Sequence, residues 1–95
     1  MYGLFVQVFK SDDIREASFP NLVLISRTRE ELNGMAEINI ELAKRNADSV
    51  RQMDDNDDLY DIVVEPIGES RVAVNLVEKE SKKVLWSTKV FVIEI

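Results

Sequence analysis

Residues 28–48, TREELNGMAEINIELAKRNAD, carry the strongest helical pattern in the chain. Thr28, followed three residues later by Glu31, is typical of the capping box that opens a helix. Apolar side chains recur at helical spacing along one stripe, and charged side chains fall on the opposite side. The pattern therefore predicts a single long amphipathic helix over about residues 28–50, with strand-like sequence before and after it.

Two residues depart from the apolar stripe of this helix. Asn39 lies within the stripe, and Ile38 lies well outside it. An apolar side chain on the charged side of a surface helix has no core to enter, which favours a contact with another chain. We therefore expect a partner to meet the exposed side of the helix at Ile38, Glu41 and Arg45.

Apolar segments on either side of the helix predict strands, two before it and three after it. They cover residues 2–9, 22–25, 60–65, 72–76 and 83–95. The continuous apolar run at 22–25 is typical of a buried strand, and a bulge near residues 87–89 is one way for the last strand to change phase. The order β-β-α-β-β-β indicates a single α+β domain over residues 1–95. We expect a two-layer sandwich in which the helix packs on a four- to five-stranded, mostly antiparallel sheet.

The first and last of these strands are apolar on both faces. Phe5 and Phe9 share the second face of the first strand, and Trp86 and Phe91 have opposite parity in the last one. One helix covers only one face of a sheet, so the second face needs another apolar neighbour. That neighbour is either residues 11–20 or a second copy, and we expect a homodimer through sheet edges or sheet faces. Trp86 fits both the core and an interface.

The composition narrows the range of functions. The chain has no cysteine and no histidine. Their absence excludes disulfides, thiolate metal sites and the common nucleophile–base arrangements, so we expect neither an enzyme nor a cofactor. No apolar run approaches the roughly 20 residues of a membrane span, and the N-terminus, MYGLFVQVFK, lacks the features of a signal peptide. We expect a cytoplasmic protein with no membrane partner.

Acidic residues are concentrated in one segment of the chain. The net charge is −6, and residues 54–70 hold seven acidic and no basic groups. The spacing D-x-N-x-D from Asp54, with Glu65, partly matches a calcium-binding loop, but Leu59 stands where that loop needs glycine. A solvated loop is the simpler interpretation, and no metal is expected. The segment also has the character of a nucleic-acid mimic that competes for a partner's basic cleft.

A strand, a capped helix and a strand meander within 95 residues resemble the layout of small phage-encoded inhibitors of host proteins. The resemblance covers the order of elements and implies a protein that acts by occupying a partner's surface. We therefore expect a small acidic, non-enzymatic protein-interaction module that does not itself bind nucleic acid, with the acidic decoy as the alternative. The expected partner-binding residues are Ile38, Glu41, Arg45, Asp54, Asp55, Asp57, Asp58, Trp86 and Phe91.

Overall fold

The computed structural model describes residues 1–10, 20–53, 57–68 and 70–95. Its elements are β1 (Tyr2–Lys10), β2 (Asn21–Ser26), α1 (Arg29–Met53), a 3₁₀ turn (Asp57–Leu59), β3 (Tyr60–Gly68), β4 (Arg71–Glu78) and β5 (Val84–Glu94). The predicted α+β fold and the order β-β-α-β-β-β are confirmed. Helix α1 continues to Met53, slightly beyond its predicted end.

Within the described residues, five strands form one antiparallel sheet in the order β2-β1-β5-β4-β3. Strands β1 and β5 pair in the interior of the sheet, where Leu4 lies opposite Val92 and Val6 lies opposite Val90. Because directly opposed side chains point to the same side of a sheet, this register gathers all four on one face. Strands β2 and β3 form the two edges.

Helix α1 covers that face and forms the core with it. Two clusters of buried side chains lie between the layers, and Ile40 packs against both. One cluster consists of Leu4, Leu32, Val90 and Val92, and the other of Ala43, Ala47, Val74, Leu76 and Trp86. Ala43 and Ala47 lie one helical turn apart, and their small side chains leave room for the ring of Trp86. Burial stabilises each large aliphatic side chain by about 1.5–3 kcal/mol relative to exposure.

The start of α1 differs from the predicted capping box in one bond. The Glu31 backbone N–H donates to Thr28 Oγ1 at 3.4 Å, as predicted. The Glu31 carboxylate, however, accepts a hydrogen bond from Ser26 Oγ, and the Thr28 N–H donates to Ser26 Oγ at 3.3 Å. Ser26, the last residue of β2, is buried. Its hydroxyl bridges the Thr28 N–H and the Glu31 carboxylate, two groups that would bond directly in the expected capping box.

Asn39, the polar residue in the apolar stripe, is satisfied within its own helix. Its Nδ2 donates to the backbone carbonyl of Met35 at 2.8 Å, one turn earlier. The side chain is half-buried, and this bond removes the cost of leaving its donor without a partner at the edge of the core.

The irregularity in β5 lies earlier than the bulge that the sequence allows near residues 87–89. Leu76 pairs with Trp86, whereas Val77 pairs with Val84, so Leu85 is the extra residue. The bulge therefore sits near the start of β5, where the β4–β5 hairpin enters the sheet.

Strand β2 is exposed, and the prediction of a buried strand at residues 22–25 is wrong. Its four aliphatic side chains are between 41% and 49% exposed, and only Ser26 of this strand is buried. A continuous apolar run indicates a strand with neighbours on all sides. Strand β2 instead lies at the edge of the sheet and pairs with β1 alone among the described strands.

Candidate protein-interaction site

The outer face of α1 carries an open groove of about 380 Å³. It is lined by Gly34, Glu37, Ile38, Glu41, Leu42 and Arg45. The structure thus brings together three of the residues expected to bind a partner, namely Ile38, Glu41 and Arg45. Ile38 is 52% exposed and Leu42 is 47% exposed, so the groove has an aliphatic floor that is open to solvent.

The lining residues form two rows, each with an interval of four residues. The apolar row consists of Gly34, Ile38 and Leu42, and the charged row consists of Glu37, Glu41 and Arg45. Residues four apart on a helix form a ridge along its surface. Two neighbouring ridges enclose a groove, and the side chains of a second helix pack into such grooves.

Gly34 leaves one end of the apolar row without a side chain. A Cβ placed on Gly34 would meet no atom within 4 Å, so packing within the chain does not require glycine there. Glycine inside a helix costs about 1 kcal/mol relative to alanine. The bare backbone at this position is where another chain can approach α1 most closely.

The charged row presents both signs of charge. Lys44 Nζ lies 2.9 Å from Glu41 Oε1. This hydrogen bond and the positive charge of Lys44 lower the pKa of the Glu41 carboxyl, with a smaller contribution from Arg45. Glu37 and Arg45 form no ion pair with any residue in the described ranges. One anion and one cation of the row are therefore available to a partner.

Leu42, Gly34 and Glu37 are the groove residues that the sequence interpretation missed. Leu42 lies beside the predicted apolar stripe, which places it at the margin of the core, yet the structure leaves it about half exposed. The interval of four residues between Gly34, Ile38 and Leu42 places all three on one side of the helix, and this spacing could have identified them from the sequence.

The two expected aromatic residues lie away from the groove. Trp86 is 9% exposed and packs in the core with Ala43 and Ala47. Its proposed place on a partner-binding surface is therefore corrected in favour of the core interpretation. Phe91 lies on the uncovered face of the sheet, where its ring stacks on Phe5 with centroids 5.5 Å apart. The sheet separates this stack from the groove.

The uncovered face carries cations over its aromatic rings. The Arg71 guanidinium lies 5.5 Å from the ring centroid of Phe91, and Lys89 Nζ lies 4.6 Å from that of Phe9. Each such contact contributes about 0.5–1 kcal/mol at an exposed site. The second apolar face is thus partly shielded by the chain's own side chains. The other cover that the sequence suggests for this face is residues 11–20, of which residues 11–19 lie outside the described residues.

Of the aspartates in the expected site, Asp58 has a described side chain, and that side chain does not line the groove. Asp54 and Asp55, with Asn56 of the partial calcium loop, lie outside the described residues. Asp57 and Asp58 belong to the 3₁₀ turn after α1, and Asp58 is exposed. In the described part of the chain, no group of three or more acidic side chains is placed to hold a metal ion.

No helix in the described ranges is both long enough and apolar enough to cross a membrane. Comparison of the chain with protein-family models, with curated proteins and with solved structures found no match.

Proposed function

We propose that this protein is a small, non-enzymatic protein-interaction module that binds a helix of a partner protein in the groove on α1. The observation that carries the proposal is the exposed aliphatic pair, Ile38 and Leu42, beside a row of charges. Neither side chain belongs to the two buried clusters. Exposed aliphatic surface rimmed by charged groups is typical of a site that another protein covers.

The two rows define the chemistry of the partner. An amphipathic helix with aliphatic residues four apart can place its ridge between the rows and pack on Ile38 and Leu42. A basic side chain on that helix faces Glu37, and an acidic one faces Arg45. A small residue of the partner at Gly34 allows the two helix axes to approach to about 8 Å.

The exposed areas of Ile38 and Leu42 limit what the aliphatic floor contributes to the affinity. Because Ile38 and Leu42 are already about half buried, covering them completely contributes only about 1 kcal/mol each. Association costs about 4–15 kcal/mol in lost translational and rotational freedom. The charged row and the surface around the groove must supply the rest, and we expect a dissociation constant on the order of micromolar.

The proposed mode of action is inhibition by occupancy. A helix held in the groove is no longer available to the partner's other ligands, and no chemical step is needed. Self-association into a homodimer is part of the proposal. The cysteine-free sequence suits a reducing compartment such as the cytoplasm, and the proposed target is a protein of that compartment.

Affinity purification from the native cell, with wild type and two single variants as bait, tests the groove. Ile38→Lys puts a charge on the aliphatic floor and is expected to weaken partner binding at least tenfold. Val50→Lys is the matched control, because Val50 is also an exposed aliphatic residue of α1 but does not line the groove. Captured proteins are then titrated in purified form, and circular dichroism melts establish that both variants are folded. Equal binding by Ile38→Lys and wild type would exclude the groove.

The alternative is the acidic decoy for a nucleic-acid-binding protein. The exposure of Asp58, Asp61 and Glu65 favours it, as does the concentration of negative charge in residues 54–70. This function predicts that binding falls steeply with salt. It also predicts loss of binding when Asp54, Asp55, Asp57 and Asp58 are changed to Asn, with no effect of Ile38→Lys. The helix-binding function predicts the opposite response of these two variants.

A further inference from the structure

Strand β2 exposes aliphatic side chains on both of its faces. Leu22, Val23, Leu24 and Ile25 are all more than 40% exposed. Leu24 lies opposite Leu4 on the helix-covered side, whereas Ile25 lies opposite Gly3 on the uncovered side. Neither α1 nor β1 therefore buries this strand, although its sequence has the composition of a core strand.

The two edges of the sheet differ in how they are protected against pairing. Strand β3 carries Asp61, Glu65 and Pro66. Charges and proline are the usual devices that prevent an edge strand from pairing with another chain. Strand β2, with the sequence NLVLIS, carries neither a charge nor a proline. Among the described residues, one edge thus carries charges and a proline, and the other carries neither and has a single bulge.

The backbone of β2 has groups for such a strand to bind. In an antiparallel sheet, alternate residues of an edge strand direct their N–H and C=O groups away from their only neighbour. Among the described residues, no backbone outside the β1–β2 ladder donates to or accepts from residues 21–26. A second strand along this edge would supply the missing partners and cover the aliphatic side chains at the same time.

The sequence of β2 is complementary to itself in an antiparallel pair. A two-fold axis between Val23 and Leu24 places Leu22 opposite Ile25 and Asn21 opposite Ser26 of the other copy. Polar residues then meet polar residues at both ends, and aliphatic residues meet aliphatic residues between them. Contacts between side chains on neighbouring strands are the unit of sheet stabilisation, so each of these pairs adds to the stability of the joined sheet.

A bulge in β2 makes this register consistent with the two faces of the sheet. Leu4 pairs with Leu24 and Phe5 pairs with Leu22, which leaves Val23 as an extra residue. In a regular strand, residues 22 and 25 would point to opposite faces. With the bulge, both lie on the uncovered face, because Leu22 is opposite Phe5 and Ile25 is opposite Gly3. Asn21 and Ser26 likewise share the helix-covered side, opposite Val6 and Tyr2.

We infer that two copies of this chain associate along β2, antiparallel and about a two-fold axis, and join their five-stranded sheets into one continuous sheet. The inference rests on the self-association in the proposed function and names its surface. Residues of the α1 groove are not part of β2, so the dimer presents two grooves. A six-residue strand buries less than the roughly 800 Å² per partner of a standard interface. Interfaces below the standard size are typical of weak complexes, and we expect a dissociation constant on the order of micromolar.

Analytical ultracentrifugation over about 1 to 500 µM protein, a range centred on micromolar affinity, tests the dimer. The wild-type mass is expected to rise from 10.9 kDa towards twice that value. Val23→Lys puts a charge on the pairing edge and is expected to remain monomeric throughout. Val64→Lys is the matched control, since Val64 is an equally exposed valine on the other edge strand, and it is expected to dimerise like wild type.

Cross-linking tests the register without relying on the lysine variants. The chain has no cysteine, so the variant with both Leu22→Cys and Ile25→Cys has only these two thiols. Opposed residues of antiparallel strands lie within disulfide range, and oxidation is expected to yield a covalent dimer.

Three outcomes would overturn the inference. They are a wild-type protein that is monomeric at every concentration, a dimer that Val64→Lys disrupts and Val23→Lys does not, and a double-cysteine variant that oxidises without forming a covalent dimer. The groove is judged separately by Ile38→Lys, which is expected to dimerise normally. Loss of the dimer with intact groove binding would therefore refute this inference alone.

Discussion

Gly3 lies at a close contact between side chains on the uncovered face of the sheet. A Cβ at this position would lie 2.8 Å from Phe5 Cε2 and 3.2 Å from Leu22 Cδ1. The Phe5 ring stacks on Phe91 with an interplanar angle of 13°, so it cannot turn away without breaking that stack. The missing side chain of Gly3 is what allows residues from β1, β2 and β5 to meet across the face.

Gly3→Ala is expected to lower the free energy of unfolding by about 1–3 kcal/mol, because the added methyl group overpacks the site. This cost exceeds the gain of about 0.4–1 kcal/mol that alanine brings by restricting the unfolded chain. Urea denaturation of wild type and variant measures the difference.

Gly34→Ala is the control, because the expected change in the free energy of unfolding has the opposite sign. Position 34 is in the helix interior with open space around it, so alanine is expected to raise the free energy of unfolding by up to about 1 kcal/mol. A stabilising effect of Gly3→Ala, comparable to that of Gly34→Ala, would show that the Phe5 ring yields easily.

At the level of the elements, β2 and α1 are joined by a hydrogen-bonded corner. Ser26 Oγ donates to the Glu31 carboxylate and accepts from the Thr28 N–H. The end of the strand thereby sets the position at which the helix starts. Thr28 supplies only the longer bond of 3.4 Å to the Glu31 N–H, at an exposed site.

Ser26→Ala is expected to destabilise the protein by about 1–3 kcal/mol, because it removes two hydrogen bonds that each contribute about 0.5–1.5 kcal/mol net. Thr28→Ala, the matched change at the helix cap, is expected to cost less, about 0.5–1 kcal/mol. Urea denaturation at low protein concentration, which keeps the monomer dominant, compares the two. A larger cost for Thr28→Ala would mean that the cap acts as the conventional capping box instead.

At the level of the whole molecule, the surface is divided into regions of different character. The groove on α1 is aliphatic with charges of both signs, the edge at β2 is uncharged, and the edge at β3 carries Asp61 and Glu65. The net charge of −6 makes copies repel one another at long range. A contact region without charge adds no short-range repulsion between copies, and β2 is such a region.

The inferred dimer predicts that the melting temperature of the wild type rises with protein concentration, because association of folded chains stabilises the folded state. At a hundredfold above the dissociation constant, the shift is on the order of 10 °C for a domain of this size. Added salt is expected to enlarge it by screening the repulsion between copies. Differential scanning calorimetry at several concentrations measures the shift.

Val64→Lys should reproduce the concentration dependence of the wild-type melting temperature, and Val23→Lys should melt at one temperature throughout. A wild-type melting temperature that is constant over the same concentrations would contradict the prediction.

Local patterns were sufficient to predict the elements. Helix α1 follows from its spacing of apolar residues and from Thr28, and the strands follow from short apolar runs between turns. The same patterns could not place Leu42. Its angle on the helix is evident in the sequence, but the width of helix surface that the sheet covers is set by packing. Trp86 was ambiguous for the same reason, since parity within a strand does not reveal which face the helix takes.

The sequence by itself determined the order of elements, the amphipathic character of α1, the unusual position of Ile38 and the concentration of acid in residues 54–70. These depend on interactions between residues a few positions apart. Only the tertiary structure decided that β2 lies at an edge, that Trp86 is buried and that the groove is open. Those properties depend on pairings such as Tyr2 with Glu94, which join the two ends of the chain. An apolar run of the same composition is buried when its strand lies in the centre of a sheet and exposed when its strand lies at the border.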